Sequence, residues 1–238
     1  MRVLPNGADG GTRCAGYSWR VRIVEGSLVA VEGVDGAGTT TLISGLVEWL
    51  RIRSVGVEPT HEPSSGPIGA VIRQAIDQRL KFSSEILALL FAADRLDHLE
   101  NPVNGMLGEL SKGNWVVTDR YVASSFAYQG EAGGEEAFQW LSALNRHIRQ
   151  PDLTIFVDTD IDVCLERIAK RSGRDELFHR REALVAARDR YLRVLAELDV
   201  TGQVLVVDGN RSRREVLADV AERSQVWTRL VCAYLDKR

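Results

Sequence analysis

Lysine is scarce in this chain. Lys81, Lys112, Lys170 and Lys237 are the four among 238 residues, so 26 of the 30 basic side chains are arginine. A net charge of −3 leaves no basic excess for a nucleic-acid surface or a polybasic membrane anchor, and neither partner is expected. The longest apolar run, Ile86–Ala93, is far too short to cross a bilayer as a helix. Cys14, Cys164 and Cys232 are odd in number and lack metal-like spacing. They read as free thiols in a reducing, cytoplasmic compartment. Residues 1–26 carry Gly7, Gly10, Gly11 and Gly16 but no continuous apolar stretch. They are read as a flexible extension and not a secretory signal.

Beyond that extension, residues 27–238 are long enough for one α/β domain with a full core. Runs rich in Val, Ile and Leu at 27–32, 55–59, 114–119, 152–158 and 203–208 predict five buried parallel strands. Helical spacing is expected over 39–53, 67–79 and 83–110, the last interrupted near Asn101-Pro102. It returns over 134–148, 160–171, 176–198 and 211–236, and Pro67 suits a first helical turn. Strands alternating with helices imply an α/β fold, a parallel sheet wrapped on both faces.

"VEGVDGAGTTTL", residues 31–42, nearly matches the phosphate-binding pattern G-x-x-x-x-G-K-[ST]. Gly33, Val34, Asp35, Gly36, Ala37, Gly38, Thr39, Thr40 and Thr41 follow a strand and open a helix, the context that motif requires. Glycines let backbone N–H groups converge on phosphate oxygens, and the helix N-terminus adds partial positive charge. Thr40 supplies the hydroxyl for a magnesium ion, but Thr39 stands where the lysine belongs. A plain strand-to-helix turn with glycines is the bland reading.

Three further stretches carry chemistry. In "WVVTDRYVASSFAYQG" (115–130) a strand ends in Asp119-Arg120, an acid for a metal ion and a cation for phosphoryl oxygens at the ligand-binding edge of the sheet. Either residue alone reads as a surface salt bridge. Phe91 and Arg95 of "LLFAADR" (89–95) share a helix face, a ring to stack on a planar base and a guanidinium to donate to its carbonyl. Alone, they read as a core ring beside a solvated charge. "RIAKRSGRDE" (167–176) is a solvated turn or a mobile lid.

With "HEPSSGPIGAVIR" and "PDLTIFVDTD", these stretches resemble, in order, the thymidylate kinases of the P-loop nucleoside-monophosphate kinase group, from about residue 27 to 210. The resemblance implies a five-stranded parallel sheet, a short lid at about 168–180, a homodimer, and transfer of the ATP γ-phosphate to dTMP with Mg²⁺. It implies Thr40 and Asp119 at the metal, and Asp35 at the deoxyribose 3′-hydroxyl. Arg73 and Arg120 would bind the dTMP phosphate, near Glu62. Phe91 would stack on thymine, with Arg95 on its carbonyl and Ser125 by its N–H edge. Tyr128 would lie where a 2′-hydroxyl clashes, and Gln129 would complete the set. The lid arginines Arg171 and Arg174 would supply cationic charge, the loop itself having none. Three departures stand out: Thr39 replaces the lysine, His61 stands where many members have arginine, and the segment after the lid, "LFHRREALVAARDRYLRV", matches loosely apart from Arg188 and Tyr191. A non-catalytic nucleotide binder and a kinase for another nucleoside monophosphate or a deoxynucleoside remain the alternatives. The apolar positions Leu87, Leu90 and Leu99 offer one seam for a dimer or, equally, a face turned to the sheet.

Overall fold

The computed structural model describes residues 26–130, 134–172, 177–198, 204–223 and Trp227. The expected extension up to residue 25 lies outside them. Strands β1 (Leu28–Glu32), β2 (Val57–His61), β3 (Trp115–Asp119), β4 (Leu153–Asp158) and β5 (Val204–Asp208) form one sheet in the order β2-β3-β1-β4-β5. Every pairing is parallel. β1 lies between β3 and β4 with Leu28, Val29, Ala30 and Val31 buried, as a continuous apolar run demands of a central strand.

The helices are α1 (Thr39–Ile52), α2 (Pro67–Ile76), α3 (Ser84–Glu100), α4 (Met106–Ser111), α5 (Val122–Gln129), α6 (Gly134–Leu144), α7 (Ile161–Ser172), α8 (Leu177–Leu198) and α9 (Arg213–Arg223). α1 packs with α9 and against the sheet, while α5 packs against both α3 and α8. α1 buries Leu42, Ile43, Leu46, Val47 and Leu50, the stripe of an amphipathic helix laid on the sheet. Trp227 closes this side, edge-on to Trp115 with ring centroids 5.3 Å apart.

Three expectations are corrected. The second strand begins at Val57, not residue 55. Val55 instead ends α1: its N–H donates to Leu50 O (3.1 Å) and the Ser54 N–H to Arg51 O (2.9 Å), with Ser54 left-handed at φ 60°. That paired pattern is a Schellman stop, and its apolar residue packs back on the helix. Nor is the second strand buried. β2 is an edge strand with Glu58, Pro59 and His61 exposed, and an edge tolerates a proline that lacks the ladder N–H. The third concerns α5, which was not anticipated as a helix. Eight residues with two serines carry little helical periodicity, and packing against α8 and α3 holds them.

Candidate active site

The strand order reverses around β1, so the crevice beyond its carboxyl end is where ligands bind in such sheets. The glycine loop runs out of β1 into α1 there. Gly36 (φ 84°) and Gly38 (φ 107°) adopt left-handed conformations, and a Cβ on Gly36 would sit 2.5 Å from Cys164 O. Thr159 Oγ1 donates to Ala37 O (2.9 Å). Arg167, on α7, donates to Gly36 O (3.2 Å), Ala37 O (2.9 Å) and Gly209 O (3.1 Å). One guanidinium therefore ties the loop to both α7 and the turn after β5. In the sequence Arg167 opens the stretch 167–176, which reads as a solvated turn or a mobile lid, and this role is missed there; the residue stands instead within α7.

Thr40 and Asp119 meet across the crevice, the Thr40 hydroxyl donating to Asp119 Oδ2 at 2.7 Å. A hydroxyl and a carboxylate are hard oxygen donors, and the pair fits a divalent cation. The next residue, Arg120, is left-handed at φ 71°, a sparsely populated conformation for a side chain of its size. Its amide still donates to Val31 O (2.9 Å), so the turn into α5 starts directly off the ladder. The guanidinium reaches Asp35 Oδ1 (2.5 Å) and Tyr191 Oη (3.2 Å), and stands over the Tyr128 ring.

Behind Arg120 lies a buried carboxylate. Glu32 accepts from Tyr121 N (2.9 Å), Ser124 Oγ (2.7 Å) and Tyr191 Oη (3.1 Å). Burial raises its pKa above the usual glutamate value, with Ser124, Arg120, Tyr121 and Tyr191 opposing the shift. The signal in the sequence was a lone acid ending an otherwise apolar strand. Tyr191 brings α8 to this network, and Arg188 grips Asp158 with two bonds (2.5 and 2.7 Å).

Two cavities open along this edge. One, of ≈ 630 Å³, is lined by the loop residues Val34, Asp35, Gly36, Thr39 and Thr40 with Thr60, His61, Asp119 and Arg120. The other, of ≈ 400 Å³, is lined by Leu87, Phe91, Arg95, Ser124, Ser125, Tyr128 and Gln129. Asp35, Glu62 and Arg120 border both. In the second cavity the buried oxygens Tyr128 Oη and Gln129 Oε1 have no hydrogen-bond partner among the described residues. Unsatisfied buried polar atoms are costly and suit a polar ligand. Arg95 is 1% exposed and bonds Glu62 Oε2 (2.8 Å), Ser125 Oγ (3.1 Å), Asn145 Oδ1 (2.6 Å) and Tyr121 O (3.1 Å).

Not every anticipated residue converges. Arg73 turns its guanidinium to Pro63 O (3.2 Å) and Ser64 O and lines neither cavity. Gly33, Ala37, Gly38 and Thr41 shape the loop and the first turn of α1 without lining either cavity, though Ala37, Gly38 and Thr41 border a smaller one with Arg167 and Arg213. The side chains of Arg171 and Arg174 lie outside the described residues. Of the expected seam, Leu99 is buried and Leu87 lines the second cavity. The exposed apolar side chains of α3 are instead Ile86, Leu89 and Leu96.

A glycine loop on the central strand, a hydroxyl–carboxylate pair for a cation and a second cavity sharing its arginine define a P-loop phosphotransferase acting on a small acceptor. Comparison with known proteins narrows the class. A family model described as thymidylate kinase matches residues 31–220. A probable thymidylate kinase of Pyrobaculum aerophilum is 38% identical over 196 residues, covering 82% of this chain and 95% of that protein. A thymidylate kinase of Nitrosospira multiformis is 33% identical over 208 residues, covering 83% and 96%. A putative thymidylate kinase of Treponema pallidum is 40% identical over 153 residues, covering 64% and 71%. The chain belongs to the thymidylate kinase family. Among the described residues no helix is long and apolar enough to cross a membrane.

Proposed function

We propose that the protein transfers the γ-phosphoryl group of ATP to dTMP, giving dTDP and ADP, with Thr39 in place of the loop lysine. The observation that carries this is the shared wall of Asp35, Glu62 and Arg120 between the two cavities. A phosphate seated at Arg120 from the second cavity faces the glycine loop across that wall. Alignment of two anions and neutralisation of their charge are what phosphoryl transfer requires of a protein.

ATP lies along residues 33–41, its phosphates on the loop N–H groups. Thr40 and Asp119 would hold Mg²⁺, which would offset the charge on the phosphates. Arg120, held by Asp35 and Tyr191, binds the acceptor phosphate bidentately. Phe91 stacks on thymine, Arg95 and Ser125 address its polar edge, and Asp35 holds the 3′-hydroxyl. Tyr128 leaves no room for a 2′-hydroxyl, and Gln129 and Glu62 complete the wall.

Among the described residues Arg120 is the arginine that lines the first cavity, with the His61 ring beside it. Arg171 and Arg174 provide the remaining charge from the lid. Arginine suits the task, because its planar fork binds phosphate with two bonds. The protein works as a homodimer through α3, where Ile86, Leu89 and Leu96 leave apolar surface exposed.

An ADP-release assay with dTMP, dUMP, dGMP and thymidine tests the reading. dTMP should be the best acceptor, and either lid arginine changed to alanine should lower kcat by ~10²–10³-fold, as for loss of one charge-stabilising donor. Thr39→Lys should partly rescue that variant. Binding of ATP and dTMP without turnover refutes the proposal.

A further inference from the structure

Arg95 poses a problem for the acceptor site. A guanidinium has five N–H donors, and in Arg95 four of them make hydrogen bonds inside the protein. Nε donates to Glu62 Oε2 at 2.8 Å, Nη1 to Ser125 and Asn145, and Nη2 to Tyr121 O, while Nη2 also stands 2.8 Å from Glu62 Oε2 as an ion pair. The side chain is 1% exposed. A nucleobase carbonyl entering the cavity gains a bond from Arg95 when an N–H turns away from Glu62, the partner that two of its nitrogens approach at 2.8 Å. The carboxylate would then be left short of donors inside the protein, where an underbonded charge is expensive.

The structure holds the remedy on the far side of that carboxylate. Glu62 Oε1 is buried without a hydrogen-bond partner among the described residues, and so is His98 Nδ1. The two face each other at 3.7 Å. The imidazole is anchored at its other nitrogen, Nε2 lying 2.7 Å from Thr60 Oγ1 on β2. Closing 3.7 Å to an ordinary N–H···O distance takes a shift of about 0.8 Å. Both the doubly protonated ring and the tautomer with its proton on Nδ1 offer that N–H to Glu62. In the latter, the Thr60 hydroxyl donates to Nε2.

We propose that His98 is a positioning residue for the acceptor site, whose Nδ1–H takes up Glu62 as Arg95 turns one donor to the nucleobase. The inference rests on the reading of the second cavity as the dTMP site. It adds a relay that runs from β2 through Thr60, His98 and Glu62 to Arg95, with His98 itself lining neither cavity. His98 touches no substrate. Its effect is to lower the cost of redirecting Arg95, so it acts on acceptor affinity and base choice and not on phosphoryl transfer.

Two polar substitutions separate this from a packing role. In His98→Asn the amide N–H₂ falls near the position of Nδ1 and still faces Glu62. In His98→Gln it falls near Nε2 and faces Thr60 only. Steady-state kinetics of the full chain should show KM for dTMP raised ~10-fold in His98→Gln, the scale of one hydrogen bond to a charged group. KM for ATP and kcat at saturating dTMP should be unchanged, and His98→Asn should stay near wild type. The ratio of kcat/KM for dTMP over 5-methyl-dCMP, which carries an amino group in place of the 4-carbonyl, should fall by a similar factor in His98→Gln alone. Equal losses in both variants, a loss shared by the two acceptors, or a raised KM for ATP overturns the relay. If His98→Gln does not fold, His98→Phe carries the same comparison with His98→Asn. A wild-type protein that does not phosphorylate dTMP refutes the acceptor reading itself, a result distinct from any variant outcome.

Discussion

Replacing Arg167 with methionine should weaken ATP binding while leaving dTMP binding alone. Methionine keeps much of the side chain's length but removes the fork that holds Gly36 O, Ala37 O and Gly209 O at 3.2, 2.9 and 3.1 Å. A hydrogen bond from a charged group contributes about 1.5–3 kcal/mol. The three are not additive here, because one half-buried guanidinium makes them all and Ala37 O keeps its bond from Thr159 Oγ1. A total of about 2–3 kcal/mol follows, expressed as disorder of a loop whose N–H groups must already converge when phosphate arrives. At 1.4 kcal/mol per tenfold, Kd for ATP should rise ~30–100-fold. Arg167→Lys should recover only part of this, since one ammonium cannot span three carbonyls. Calorimetric titration with ATP and dTMP separately is the assay. The second cavity, proposed for dTMP, does not include Arg167, so the Kd for dTMP should hold within about twofold. Equal weakening of both ligands, or no change in ATP affinity, refutes the argument that this clamp preorganises the loop.

Arg95→Ala should cost about 3–5 kcal/mol of stability in urea titration, because it takes the guanidinium away from a buried carboxylate, Glu62. A loss under 1 kcal/mol would mean the pair is not buried in solution. Glu32 has a pKa raised in the folded protein chiefly by burial, so the folded state holds its proton more tightly than the unfolded chain. Its contribution is present below the unfolded value of 4.5 and is lost as pH rises toward the folded pKa. Stability of Glu32→Gln relative to wild type should therefore grow with pH above 4.5, as urea titrations at several pH values would show; parallel curves would contradict it. Leu89→Glu, on the exposed stripe of α3, should convert a dimer at micromolar concentration to a monomer in sedimentation. A monomeric wild type would dismiss that face as an interface.

Periodicity and turn chemistry carried the architecture. The apolar run of β1, the glycine loop after it and the Pro67 start of α2 are local features that few tertiary contexts override, so strand order aside, the fold was legible. The loop and the Asp119-Arg120 pair were readable as well, because each combines side-chain chemistry with a strand end. Where local patterns mislead, the reason is physical. Val55 is apolar because it caps a helix, and α5 is a helix because α8 and α3 pack on it. Tertiary structure alone decided that Arg167 braces the glycine loop from over 120 residues away in sequence. It alone placed Glu32 beneath Arg120, turned Arg73 into its own loop, and set His98 against Glu62. Those arrangements depend on which carbonyls and carboxylates are left unsatisfied once the chain has folded, and that quantity is defined only in three dimensions.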